Sequence, residues 1–409
     1  MPSVQESVHQ GLYQLLRIPQ HYLYGIRLNS VTLEGMDDVT VIPSSTFICV
    51  RTLRTLVLKD LRSLEAIGDD VLPPNGDLLE VVLDNLPVLS RIGLRFAARA
   101  PCLERIHLAG LPSLKAIGSS FLEGCQKLTR IAIANLPSLV SIGSSFLSRC
   151  TSLVELSLVD LPMLQGISND LASSCTALQA VCFMHLPSLE KIGDSAMENC
   201  DSLRGVTLLG LPNLATLGRK FAAHCRALYE LHMEEIDTLE SIGDWFAYNC
   251  ISLREFRLSS IMKLQVIGNS FLEDTRITHM VLDGGAPVLH TIGDRFVSNC
   301  PELLELRLAN LPMVTTIGYR FGADCCKLTS VVINGIPRLH FIGKSFLCDC
   351  ASLDAILLQD LPELSGFEGS FADNCPVVRA LDVIGNVGLS YEHVFQLRRS
   401  TVRPSSRRW

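Results

Sequence analysis

Cysteine is the residue type whose spacing first suggests chemistry. It occupies positions 125, 150, 175, 200, 225, 250, 300, 325, 350 and 375, a step of 25 residues broken once, at Thr275. In a secreted chain fifteen cysteines would imply a disulfide framework. A zinc site needs converging ligands, and these residues are strung out in a line. The close sets, Cys325–Cys326 and Cys348 with Cys350, have no histidine placed to complete them. The regular step reads instead as a ladder of buried, reduced thiols, because free cysteine is among the most buried residue types. Disulfides between neighbouring rungs are the alternative, though equivalent rungs give no reason to pair one neighbour over the other. The ten histidines are scattered, and acid pairs such as Glu234–Glu235 stand among ordinary surface charge. Nucleotide-binding, metalloprotease and nucleophile-elbow motifs do not occur. The sequence therefore assigns no catalytic residue, no cofactor and no metal ligand, and the chain reads as a non-enzyme.

What positions the cysteines is a repeat. Residues 101–125, PCLERIHLAGLPSLKAIGSSFLEGC, give the frame xxLxxIxLxxLPxLxxIGxxFxxxC, which runs as fourteen units from Ile26 to Cys375. In Leu103, Ile106 and Leu108 the last two residues alternate, the period of a short strand. Proline at Leu111–Pro112 lacks the donor that a longer strand would need. Ile117, Phe121 and Cys125 stand four apart, which predicts a short helix with one buried face. Gly118 is expected to give freedom at the corner. Ser119 or Ser120, like Asp194, Asp244 and Asp294 in other units, is placed to cap that helix. A single unit cannot bury its own apolar face, whereas stacked units share a continuous core.

Nearly half of the 409 residues are hydrophobic, only 6% are aromatic, and the net charge is −7. Leu, Ile and Val therefore carry the burial. A net negative chain is a poor match for nucleic acid, which needs a concentrated basic face. No apolar run of about 18 residues is present for a membrane span. The opening MPSVQESVHQGLYQLLRIPQ has no basic n-region followed by an apolar run. The expected location is cytoplasmic.

The xxLxxIxLxxL core resembles leucine-rich repeats. The IGxxFxxxC half narrows the resemblance to the Treponema-type, BspA-like class, although these units are longer and carry LPxL in place of a plainer step. The resemblance runs from Ile26 to about Ile384. It implies an α/β solenoid: a curved right-handed superhelix with a parallel β-sheet on its concave face and short helices or turns on its convex face. It also implies a protein-binding role. Some members of the class are surface adhesins, so the alternative to an intracellular scaffold is a surface or secreted adhesin that binds host or matrix proteins.

Four segments are expected: an N-terminal helical cap (1–25), fourteen repeats (26–375), a partial repeat with a C-terminal cap (376–397), and a basic flexible tail (398–409). Val4, Val8, Leu12 and Leu15–Leu16 share one helical face, which fits a cap, with a membrane-surface helix as the alternative. Val394, Phe395 and Leu397 are expected to close the C-terminal edge. The tail residues Arg398, Arg399, Arg403, Arg407 and Arg408 suit either a solvated segment or an anionic partner, and phosphorylation of Ser400 would cancel part of that charge. After Cys250 the rhythm slips. Ile277 comes one residue early, and Gly284–Gly285 restores the frame before Ile292.

Outward strand residues fall at the fifth, seventh and ninth places of each unit. Arg105, His107 and Arg130 make a small basic spot. Ala180, Cys182, Met184, Gly205, Thr207 and Leu209 are unusually apolar for an exposed face. Glu230, His232, Glu234, Glu255, Arg257 and His279 are charged or polar, and Glu305 with Arg307 follows. With rungs about 5 Å apart, such a face would run for roughly 70 Å. Met184, Leu209, Glu230, His232, Glu234, Glu255, Arg257 and His279 are the expected contacts to a protein partner.

Overall fold

The computed structural model describes residues 27–259 and 261–385. The expected N-terminal cap, the closure at Val394–Leu397 and the arginine tail lie outside the described residues. The chain forms two compact units, Met1–Asn213 and Leu214–Trp409, built from the same coil.

Each regular coil carries two strands. In 101–125 these are Arg105–Ala109 and the two-residue strand Ala116–Ile117. Every pairing given is parallel, and in the regular coils each residue faces the one at the same place in the next repeat, 25 positions on, as in Glu80 with Arg105 and Ala116 with Ser141. In the first unit the long strands form two runs, Ser30–Glu34 to Arg105–Ala109 and Arg130–Ile133 to Gly205–Leu209. In the second unit Glu230–Glu234 pairs with Glu255–Leu258, and a separate run extends from His279–Asp283 to Ala380–Ile384. The short strands form an unbroken ladder within each unit. A left-handed residue such as Asn85, Asn135 or Asp160 ends the long strand one position before the Leu-Pro step. Backbone geometry and proline thus stop the strand together.

The helices expected between Ile117 and Cys125 and their counterparts are not formed: among the described residues there is no helix. Ile117, Phe121 and Cys125 are all buried, as the four-residue spacing required. They get there through a chain of turns with positive φ at Ser120 and Gly124, and in other coils φ turns positive at alternate residues, as at Ser145, Leu147 and Arg149. The N–H groups of Ser145 and Arg149 donate to Asn169 O (2.8 Å) and Ser173 O (2.7 Å) on the next coil. An α-helix would send them to the fourth residue back. Left-handed backbone at a non-glycine residue costs roughly 1–2 kcal/mol, and the hydrogen bonds to the next coil offset it.

Ser119, Asp244 and Asp294, expected to cap helices, cap the neighbouring coil instead. Asp244 Oδ1 accepts the Asn269 N–H (2.8 Å), Asn269 Oδ1 accepts that of Asp294 (2.8 Å), and Asp294 Oδ1 accepts that of Tyr319 (3.0 Å). Ser119 Oγ does the same for Ser144 (3.1 Å).

The glycine of the Ile-Gly pair also has a different reason from the one expected. Gly118 does not lie in the left-handed region; a Cβ there would stand 2.4 Å from Gly93 O on the preceding coil. Close approach of backbones, rather than conformational freedom, selects glycine at this step.

The interior is a set of residue ladders. Phe246, Phe271, Phe296, Phe321 and Phe346 stack with ring centroids 5.2–5.4 Å apart. All fifteen cysteines are free, and the ladder members are buried. Each repeating thiol has a partner: Cys150 Sγ donates to Leu122 O (3.1 Å), Cys250 to Ala222 O (3.1 Å) and Cys375 to Leu347 O (3.1 Å). The carbonyl served sits on the preceding coil, and for Cys250 and Cys375 it belongs to a left-handed residue, Ala222 and Leu347. Burial pushes the Cys125 and Cys325 thiols well above their ordinary value, which keeps them protonated donors. At the missing rung Thr275 Oγ1 donates within its own coil to Leu272 O (2.9 Å), the carbonyl that also accepts the Cys300 thiol (3.3 Å), and touches Cys300 Sγ (3.4 Å).

The slip after Cys250 has a structural counterpart. His279 pairs with Glu305, a step of 26, whereas Thr291 on the same coil pairs with Thr316, a step of 25. Among the described residues, Glu255–Leu258 and His279–Asp283 do not pair, so the long-strand sheet is interrupted there while the short-strand ladder continues.

Candidate functional site

In most long strands inward residues are buried and alternate with side chains that reach solvent, as in Glu230–Glu234, where Leu231 and Met233 are buried and Glu230 is exposed, whereas Phe256 and Leu258 of Glu255–Leu258 are half-buried. This places every expected contact residue on the outward face of a long strand.

In the first unit Met184 and Leu209 are register partners, with Cys182 opposite Thr207 and Ala180 opposite Gly205. Met184 and Leu209 are each half-buried, because side chains on neighbouring rungs cover one another. Burial pushes the Cys182 thiol above its ordinary value. The basic spot expected at Arg105 is partly cancelled, since Arg105 Nε lies 3.1 Å from Glu80 Oε1 on the adjacent strand.

In the second unit Glu230 faces Glu255 and His232 faces Arg257. The Arg257 guanidinium leans 3.9 Å from Glu234 Oε1, and both partners are largely exposed. Such a pair contributes about 0–1 kcal/mol. Glu230, His232 and Glu255 converge: one ligand atom from each lies within 4.8 Å of the other two. His232 Nε2 is shut off from solvent and has no hydrogen-bond partner. Leaving a buried polar atom unsatisfied costs about 1–3 kcal/mol. His279 stands on the far side of the interrupted pairing, bonded through Nδ1 to Thr278 Oγ1 at 2.9 Å, and does not join the cluster.

The three residues had been singled out by sequence as partner contacts, not as a set of metal-binding type. The Glu-x-His spacing on a strand was visible. The approach of Glu255 depends on the register between coils, which the 25-residue frame gives only once Glu230 and Glu255 are set at the same place in it.

The outward positions change from coil to coil while the inward ones repeat. The BspA-type leucine-rich-repeat model matches in six copies over residues 96–229, 215–354 and 286–396. The chain belongs to the BspA-type leucine-rich-repeat family. Comparison with curated proteins finds no match. Among solved structures, a leucine-rich repeat protein from Bacteroides ovatus is 19% identical, with 81% of this chain and 88% of that one covered and a TM-score of 0.45. A leucine rich cell surface protein from Faecalibacterium prausnitzii is 16% identical, with 93% of each chain covered and a TM-score of 0.37. The pneumococcal vaccine antigen PcpA is also 16% identical, with 93% and 78% covered and a TM-score of 0.38. In this BspA-type chain the signature Leu, Ile, Phe and Cys positions lie inside, so the family pattern accounts for the core and leaves the outward face unassigned. No helix among the described residues is long and apolar enough to cross a membrane.

Proposed function

We propose that this BspA-type repeat protein is a non-catalytic scaffold that binds a protein partner on the outward face of its long strands. The observation that carries the reading is the division of labour within each coil. Inward positions are occupied by near-identical apolar ladders, whereas outward ones differ in kind, from Ala180, Cys182 and Met184 to Glu230, His232 and Glu234. Two surfaces are candidates: the half-buried apolar patch with Met184 and Leu209 in the first unit, and the charged patch with Glu230, His232, Glu234, Glu255, Arg257 and His279 in the second. Apolar anchors and polar rims are the two ingredients of protein interfaces, and a stable one takes about 800 Å² per partner. We place the protein in a reducing, intracellular compartment. The support is its ladder of free thiols, since cysteines at this density would otherwise be exposed to oxidation.

Proximity labelling of the tagged protein in its own cells, read by mass spectrometry, tests both parts. A short set of intracellular neighbours that disappears on Glu230→Lys with Glu255→Lys is the expected result. Neighbours drawn from the cell surface or secretory route would overturn the location and favour an adhesin. Neighbours that survive the double reversal would move the interface off the charged patch.

A further inference from the structure

Glu230, His232 and Glu255 meet the geometric needs of a metal site more closely than those of a plain contact patch. Strand alternation puts Glu230 and His232 on one face, and parallel register sets Glu255 beside Glu230. Their ligand atoms already lie within 4.8 Å of one another. Tetrahedral coordination at about 2.1 Å per bond brings ligand atoms to roughly 3.4 Å apart, so an adjustment of about 1 Å suffices. Both glutamates are exposed and can make it by rotating side-chain bonds.

Three further observations favour a cation. His232 Nε2 is buried without a hydrogen-bond partner, and the same imidazole offers one of its ring nitrogens to the two carboxylates. Among the described residues neither Glu230 nor Glu255 is neutralised by an ion pair, and the nearby Arg257 is drawn toward Glu234. The neighbouring long strand His279–Asp283 does not pair with Glu255–Leu258, so that strand edge is not closed by backbone hydrogen bonds.

We propose that Glu230, His232 and Glu255 bind one divalent transition-metal ion of the zinc class. Two carboxylates and an imidazole suit zinc, and the nitrogen donor disfavours calcium and magnesium, which take all-oxygen sets. Three protein ligands leave at least one position for water or for a donor group from a bound molecule. The site stands on this geometry alone, whether or not the outward face is a protein interface.

The test uses the purified full chain, reduced, with no partner present. Zinc chloride is titrated by calorimetry and cobalt(II) by absorption, for the native protein and for Glu230→Gln, Glu255→Gln and His232→Gln. The expected result is one equivalent whose affinity falls at least about tenfold in each variant, since even loss of a supporting outer-shell group has that effect. The cobalt spectrum of that equivalent should lack a thiolate charge-transfer band, which separates it from binding at cysteines. Circular dichroism of the exposed Glu255→Gln variant guards against misfolding at the half-buried His232. Unchanged stoichiometry and affinity in Glu230→Gln and Glu255→Gln, or cobalt binding seen only through thiolate bands, would overturn the proposal.

Discussion

Two glycines eight residues apart should respond oppositely to the same substitution. A Cβ on Gly293 would stand 2.6 Å from both the carbonyl carbon and oxygen of Gly268, and 2.7 Å from Asn269 N. Ordinary carbon contacts lie near 3.5–4.0 Å. The two coils would have to separate by about 1 Å at that step. The obstacle is backbone, so no side chain can swing aside. Overpacking of this kind costs about 1–3 kcal/mol. The separation also stretches the Gly293 N–H bond to Ile267 O, now 3.0 Å, a further loss of about 1 kcal/mol. Gly293→Ala should therefore destabilise the second unit by about 2–4 kcal/mol, lowering its thermal midpoint by roughly 5–10 °C. Gly285 has nothing within 4 Å of its Cβ position and no positive φ. Gly285→Ala should be neutral or stabilising by up to about 1 kcal/mol, because alanine narrows the unfolded ensemble. Thermal unfolding followed by circular dichroism reads both variants. Equal midpoints would refute the close-approach account of the Ile-Gly signature and restore the simpler idea of a flexible corner.

Phe271, stacked between Phe246 and Phe296 and fully buried, should lose about 3–5 kcal/mol as Phe271→Ala in the same assay, whereas the exposed Met262→Ala should stay within about 0.5 kcal/mol. Native thiol titration with a chromogenic disulfide should show Cys326 reacting first, Cys49, Cys102 and Cys182 more slowly, and the buried ladder only on unfolding; prompt reaction of the ladder would contradict its burial. Asp283 accepts hydrogen bonds from Asn310 and Arg307, which hold its carboxyl below the usual carboxylate range. Its stabilising contribution is thus present above the unfolded carboxylate range and fades as pH falls through the lowered folded value; an NMR titration of its carboxyl carbon checks the direction.

The coil was readable because ladders of like residues must repeat at one step. Leu103, Ile117, Phe121 and Cys125 announce both the period and the inward positions. The turn between Phe121 and Cys125 was misread as helical. Four-residue spacing is shared by a helix and by a run of alternating left- and right-handed residues, and propensity does not expect Leu147 or Val297 to be left-handed. Only hydrogen bonds to the next coil, absent from any single repeat, decide between them. Gly118 was misassigned for the same reason: its crowding comes from Gly93, one coil away. The slip at Ile277 was legible as a count, but the resulting break in strand pairing belongs to the stack and not to the segment. The face carrying Glu230 and Glu255 was placed by alternation alone, while the unpaired His232 Nε2 needed coordinates.

The most direct test of the binding account is site-specific photo-cross-linking in the protein's own cells. A photoreactive residue at Arg257, on the outward face of its long strand, should capture a defined protein that the same residue at exposed Met262, beyond the end of that strand, does not. Equal capture at both positions, or capture at Met262 alone, would contradict a partner seated on the long-strand face.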